Sequence, residues 1–366
     1  MKDQGVPRRD LERVLGQAEN AIALLARCRP VNAVAERERL LATFRRGAPT
    51  NPNWRYGFAD GVATLRSALM SVAEQGEAAE GWDRLFADRA RELAREAAIV
   101  EALGTPRAHV AAQARFPVDP GEHGRVAQQW AERWVREASE APAAETFVSD
   151  DEADPESLVC QMRRAVGEAR LPFRVVTNPR LPCAAATGDG VIVVRAGARY
   201  DRGEVRRVVL HEIEGHALPR LAARNEEHGL FRVGTAQGPD DEEGRALLLE
   251  ERAGLLDARR KAQLGRRHLA ALSVRQGATW VDTARYLREL GAELEEAVDI
   301  ASRVHRGGGL GRELVYLVAL CRVRQAFEAD PSLERWLERG RIAVGAVAEL
   351  RELGPAPDVV FRLRAA

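Results

Sequence analysis

The sequence predicts an α+β protein, mostly helical, with a small β-hairpin or sheet beside a two-helix active site. Three observations carry this expectation. Apolar residues recur at helical spacing through both ends of the chain. A run of β-branched residues, Val191 to Val194, follows the turn signal Thr187-Gly188-Asp189-Gly190. An amphipathic stretch then runs into His-Glu-Ile-Glu-Gly-His at 211–216, and an acidic helix start follows at Asp240.

From the N-terminus, residues 8 to 48 carry Leu11, Val14, Leu15, Ile22, Leu24 and Leu25 at near-helical spacing. Residues 57–76 and 81–104 repeat the pattern. Trp130 and Trp134 stand four apart and read as core anchors. Residues 138–156 are rich in Ala, Glu, Asp, Pro and Ser and read as an exposed linker. The chain thus divides into an N-terminal helical region (1–137), a linker (138–156) and a catalytic domain (157–366). Phe173 to Val176 reads as a short strand before the turn and the Val191–Val194 strand. An edge strand beside an active-site helix can pair with an extended peptide through main-chain bonds.

The next helix starts at Asp201, an N-cap with Glu204 as capping-box partner. Val205, Val208, Val209 and Ile213 form its buried face, and Pro219 ends or kinks it. It delivers two imidazoles, His211 and His216, and the carboxylate of Glu212. Two neutral nitrogen ligands and a general base are what a zinc hydrolase needs. The usual spacing is i, i+4; here it is i, i+5. On an ideal helix residues five apart are rotated by about 140° and cannot share a metal. One π-bulge between Glu212 and His216 repairs this, and Gly215 suits the distorted backbone.

A tetrahedral zinc takes a third protein ligand and keeps its fourth place for water. The stretch Asp240-Asp241-Glu242-Glu243-Gly244-Arg245-Ala246 reads as a second helix that supplies this ligand. Glu243 is the first choice, with Glu242 and Glu250 as competitors. Gly244 would let this helix approach the first closely.

H-E-x-x-x-H followed by (Q/E)-E-G-x-A resembles the metallopeptidase family that includes the microtubule-associated tyrosine carboxypeptidases and bacterial proteins with a QEGLA motif. Other segments are similar too. Asn51-Pro52-Asn53-Trp54-Arg55-Tyr56 resembles the family's N-P-x-F-x-Y, and Ile192 to Ala198 its strand and turn. Arg303-Val304-His305-Arg306-Gly307 resembles R-x-x-R-G, and Gly309 to Tyr316 resembles G-x-F-T-K-D-x-x-Y. The resemblance implies a zincin-like fold of the gluzincin kind. It implies Zn2+ held by His211, His216 and Glu243, with Glu212 as catalytic base. It also implies that Arg303, Arg306 and Tyr316 lie near the substrate. Arg245 and Arg312-Glu313 depart from the pattern, which bears on substrate preference.

In the mechanism these parts suggest, Glu212 takes a proton from the attacking water and returns it to the leaving amine. Tyr316 is the candidate donor to the oxyanion. Arg303, Arg306 and Arg312 are candidates for holding a free carboxylate, with Arg306 first because glycines follow it. The leading reading is a zinc metallopeptidase of the carboxypeptidase type, acting on a peptide or protein C-terminus. A zinc amidase for a modified peptide or small molecule would use the same site. A non-enzymatic metal-binding protein is a third reading, which the intact Glu212 argues against.

Lys+Arg and Asp+Glu are both 55, so no basic field points to nucleic acid. No apolar run approaches the ~20 residues that span a bilayer, and no membrane partner is expected. Cys28, Cys160, Cys183 and Cys321 are scattered without a C-x-x-C pair, and Met1 to Asp10 is polar. Both features suggest the cytoplasm. His305 is read as a substrate sensor or a surface histidine, and His228 as a residue that could line the cleft.

Overall fold

A computed structural model of the chain describes residues 8–76, 80–138 and 144–352. They form two compact units, each built from two stretches of sequence. One unit is Met1–Ala138 with Arg260–Cys321; the other is Ser139–Arg259 with Arg322–Ala366. The excursion of Arg260–Cys321 into the first unit has no counterpart in a division at 137 and 157. Helical periodicity marks which face of a helix is buried, but not which core buries it.

The regular elements among the described residues of the first unit are helices. Its N-terminal stretch gives Arg8–Ile22, Leu24–Arg27, Ala33–Arg45, Val62–Gln75, Gly81–Glu101, Arg107–Arg115 and Glu122–Arg136. The pattern over 8–48 is broken at Ala23, whose left-handed φ of 40° separates the first two helices. The later stretch adds Trp280–Glu289 and Leu294–Gly309. Leu40, Leu41, Val274, Trp280, Leu287, Ile300 and Val304 share one apolar core. Trp130 and Trp134 stack with ring centroids 5.9 Å apart, and Trp134 is buried.

The second unit mixes helices with two small sheets, so the chain has the predicted α+β character. Strands are β1 (Thr146–Val148), β2 (Arg174–Asn178), β3 (Ala185–Thr187), β4 (Val191–Arg195) and β5 (Arg199–Asp201). β4 is the centre of a three-stranded sheet, parallel to β2 and antiparallel to β3. Ile192 and Val194 point into the core while their neighbours face outward, the alternation a strand imposes. They pack with Leu158, Met162, Val205, Val208 and Ile213. β1 pairs antiparallel with β5. Residues 139–143 of the expected linker lie outside the described residues. The part that follows is more ordered than a tether, because β1 is paired and Ser149 is buried, its hydroxyl donating to Arg195 O at 2.6 Å. No helix among the described residues is long and apolar enough to cross a membrane.

Candidate metal centre

The helix that carries the histidines begins where predicted. Asp201 accepts from Glu204 N at 2.8 Å, and Glu204 Oε2 accepts from Asp201 N at 3.1 Å. Val205, Val208 and Ile213 fasten this helix to the core of the second unit. After an α-helical stretch, Arg202–Leu210, the backbone widens into a π-helix over His211–Ala217 and returns to α-helix over Leu218–Asn225. In the i→i+5 pattern five residues make roughly one turn. His211 and His216 therefore point the same way, and their Nε2 atoms stand 3.2 Å apart. Ligands about 2.0–2.1 Å from a tetrahedral ion are separated by about 3.4 Å, so the pair is spaced for one metal. Of the two outcomes expected at Pro219, an end or a kink, the helix does not end there. The proline falls at the start of the resumed α-helical stretch, where the change of hydrogen-bond register accommodates a missing N–H.

The facing helix runs from Gly238 to Arg252. Its acidic start is an anchor: buried Asp241 accepts from Arg322 at 2.5 and 2.8 Å and from Val344 N at 2.8 Å. The close approach of the two helices is made at Gly215. A Cβ there would meet Ala246 Cβ at 2.7 Å. Gly215 has no left-handed backbone, so space rather than torsional freedom demands glycine.

Three carboxylates on this helix face the two histidines. Glu243 Oε2 lies 3.7 Å from His211 Nε2, and His211, His216 and Glu243 form a cluster that can hold a metal ion, with one ligand atom of each within 4.8 Å of the others. The two competitors go to the far sides of the rings. Glu250 Oε1 is 2.8 Å from His211 Nδ1, and Glu242 Oε1 is 3.2 Å from His216 Nδ1. Such carboxylates fix ring orientation and strengthen histidine as a ligand. Burial alone would lower the pKa of His211, but Glu243, Glu250 and Glu212 raise it to about 10. The surroundings thus favour positive charge at this point, whether a proton or a metal ion carries it. Burial would raise the Glu242 carboxyl, but Arg220 and His216 outweigh it and hold it at about 2.

Glu212 is buried, and Thr187 donates its hydroxyl to Glu212 Oε2 at 2.7 Å. Thr187 ends β3, an edge strand of its sheet. The strand beside the π-helix is therefore β3, while β4 is internal with both flanks paired. Sequence reasoning missed Thr187, because a lone threonine in a turn signal carries no mark of a contact 25 residues away. It also missed the task of Arg245. That side chain is buried and donates to Glu214 O at 2.6 Å and Gly215 O at 2.8 Å, so it serves the π-helix backbone.

The remaining candidates gather in the first unit. The helix Leu294–Gly309 unwinds at Arg306 (φ −55°, ψ 154°), and Gly307 and Gly308 take left-handed φ values of 63° and 79°. A Cβ at Gly307 would meet Cys28 Sγ at 2.8 Å. Gly307 N donates to Tyr56 Oη at 2.9 Å, so the segment Asn51–Tyr56 braces this turn. Arg303 pairs with buried Glu313 at 2.5 Å. Arg312 donates to Tyr316 Oη at 2.6 Å, and Arg303 approaches the same oxygen at 3.5 Å. Arg306 is 8 % exposed, and its Nε has no hydrogen-bond partner. Arg267, which the sequence gave no reason to select, also has an unpartnered Nε; burial first, then Arg303, push its pKa down to about 9. His305 is neither exposed nor free: its Nε2 is 2.9 Å from Thr283 Oγ1. His228 is exposed and outside the metal cluster.

A family model described as microtubule-associated tyrosine carboxypeptidase matches residues 42–356. No curated protein and no solved structure matches the chain.

Proposed function

The chain belongs to the microtubule-associated tyrosine carboxypeptidase family, and on that premise we propose that it is a zinc metallopeptidase that removes a C-terminal residue from a peptide or protein. The observation that carries this reading is the convergence of His211 Nε2 and His216 Nε2 at 3.2 Å, with Glu243 in the same cluster. Two imidazoles and one carboxylate are a hydrolytic zinc set with room for water, in a zincin-like pair of helices. The bound ion supplies an acidified water and polarises the scissile carbonyl.

Glu212 is the general base. The Thr187 hydrogen bond to Oε2 leaves Oε1 to accept the proton of the attacking water, and Glu212 then hands that proton to the leaving amine. Glu250 keeps the His211 ring turned through its hydrogen bond to Nδ1, and Glu242 sets a negative charge 3.2 Å from His216 Nδ1. Tyr316 is the oxyanion donor: its oxygen accepts from Arg312, so its own hydrogen remains to be donated.

Arg306, Arg303 and Arg312 receive the substrate's terminal carboxylate, with Arg267 added to the set. The buried Nε groups of Arg306 and Arg267 have no hydrogen-bond partner, and an incoming carboxylate relieves that cost through charge-assisted bonds. Arg245 acts on the π-helix backbone, where its Nη2 donates to Glu214 O and Gly215 O. The four free cysteines fit a reducing compartment, the cytoplasm.

The test is mass spectrometry of peptides with varied C-terminal residues, incubated with zinc-loaded protein and with a Glu212→Gln control. Loss of one C-terminal residue by the wild type alone is expected. Turnover of C-terminally amidated peptides at the same rate would overturn the carboxypeptidase reading in favour of an amidase.

A further inference from the structure

A π-helix leaves an accounting question about its carbonyls. In the i→i+5 pattern, Ile213 O accepts from Leu218 N. Glu214 O would accept next from residue 219, which is proline and has no N–H. Its α-helical alternative, Leu218 N, is already taken by Ile213. Gly215 O would look to Pro219 in the α-helical pattern and finds nothing there either. These carbonyls belong to the residues between Glu212 and His216, in the turn that sets the spacing of the histidines.

Arg245 answers this need. It enters from the facing helix, two residues after the ligand Glu243, and is 3 % exposed. Its Nη2 donates to Glu214 O at 2.6 Å and Gly215 O at 2.8 Å. A buried guanidinium is expensive unless its donors are used on strong acceptors. Glu242 and Glu214, with Glu334 and Glu338, surround it and oppose the effect of burial on its charge. One group therefore satisfies two carbonyls and ties the histidine turn to the helix that carries Glu243.

We propose that Arg245 is a positioning residue for the metal site: its guanidinium replaces the N–H that Pro219 lacks and holds the π-helix in the register that puts His211 and His216 on one ion. This rests on the reading of His211, His216 and Glu243 as ligands. Arg245 and Pro219 form a matched pair. Removing the guanidinium orphans a carbonyl that only a residue with an N–H at 219 can recover.

The experiment measures zinc affinity by competition with a chromophoric chelator, with circular dichroism of the metal-free protein as a check on folding. Arg245→Leu should bind zinc about 10–100-fold more weakly than wild type, the range for groups that support ligands. Pro219→Ala in that background should restore most of the affinity, while Pro219→Ala alone changes little. Arg245→Lys, with one short donor head, should fall between. Equal affinity in Arg245→Leu and wild type would overturn the proposal, and so would a double variant no better than Arg245→Leu. If Arg245→Leu does not fold, recovery of fold and affinity in the double variant supports the pairing, and an unfolded double variant sinks it. A folded wild type that binds no zinc would instead overturn the metal site on which the proposal rests. A purely structural arginine would lower stability and leave the affinity of the folded protein unchanged.

Discussion

Glu250 Oε1 stands 2.8 Å from His211 Nδ1, two turns along the same helix from Glu242, which lies 3.2 Å from His216 Nδ1. One helix thus sets a carboxylate beside the outer nitrogen of each histidine, and Glu243 between them faces the inner ones. Glu250 is fully buried and within 3.6 Å of Arg207, so it is held as firmly as it holds.

Glu250→Gln should therefore weaken zinc binding about 10–100-fold. Glu242→Gln should cost less, because Glu242 Oε1 and His216 Nδ1 face each other at 3.2 Å without a formed hydrogen bond, whereas Glu250 bonds His211. Chelator competition on both variants, beside Glu243→Ala, checks the order. Full zinc retention in Glu243→Ala would move the third ligand to another carboxylate.

Glu212→Gln should keep its zinc and lose about 10²–10⁴-fold in kcat/KM, the range for a positioned acid–base group. Metal analysis and peptide turnover on the same preparation separate the two effects. Unchanged turnover would remove Glu212 from the mechanism.

Thr187→Val keeps the branched shape that β3 requires and deletes the donor to Glu212. A hydrogen bond to a charged group is worth about 1.5–3 kcal/mol. Turnover should fall roughly tenfold or more with zinc affinity intact. A change in affinity alone would show that Thr187 acts on the metal site rather than on the base.

Gly215→Ala would place a Cβ 2.7 Å from Ala246 Cβ between two buried helices. Overpacking of this kind costs about 1–3 kcal/mol. The denaturant midpoint should drop, and zinc should be bound more weakly because His216 is the next residue. Ala246→Gly in the same chain should recover part of both.

Burial alone pushes the pKa of His268 down to about 4, against an ordinary value near 6.5. The unfolded chain therefore binds the proton first as pH falls. Stability is unaffected above pH ~6.5, declines as pH drops towards ~4, and loses nothing further below that. The total is about 3 kcal/mol. Denaturation of His268→Leu at pH 7 and pH 5 should show a smaller drop than wild type. Some slope should persist, because His305 is also lowered to about 4, mainly by burial.

The helix that carries the two histidines was legible in the sequence because its signals are local. The capping box, the apolar face and the i, i+5 histidines are each read within one segment, and the last of them demands the π-helix that is present. What periodicity could not supply was the partner of each polar group. Glu242 and Glu250 were visible as carboxylates on the right helix, but their aim at Nδ1 depends on how two helices are rotated against each other. Arg245 looked like a specificity residue because its target, a pair of backbone carbonyls, has no sequence signature. Pro219 read as an end or a kink because the register change before it was counted as one bulge rather than seven residues of π-helix.

The metal cluster falls within Ser139–Arg259, and the arginines proposed for the substrate carboxylate fall within Arg260–Cys321, a stretch assigned to the other unit. The chain leaves that second unit at Arg259 and comes back at Arg322. No single cut in the gene yields either unit whole. A single crossover therefore cannot move the unit that holds His211, His216 and Glu243 as one intact block.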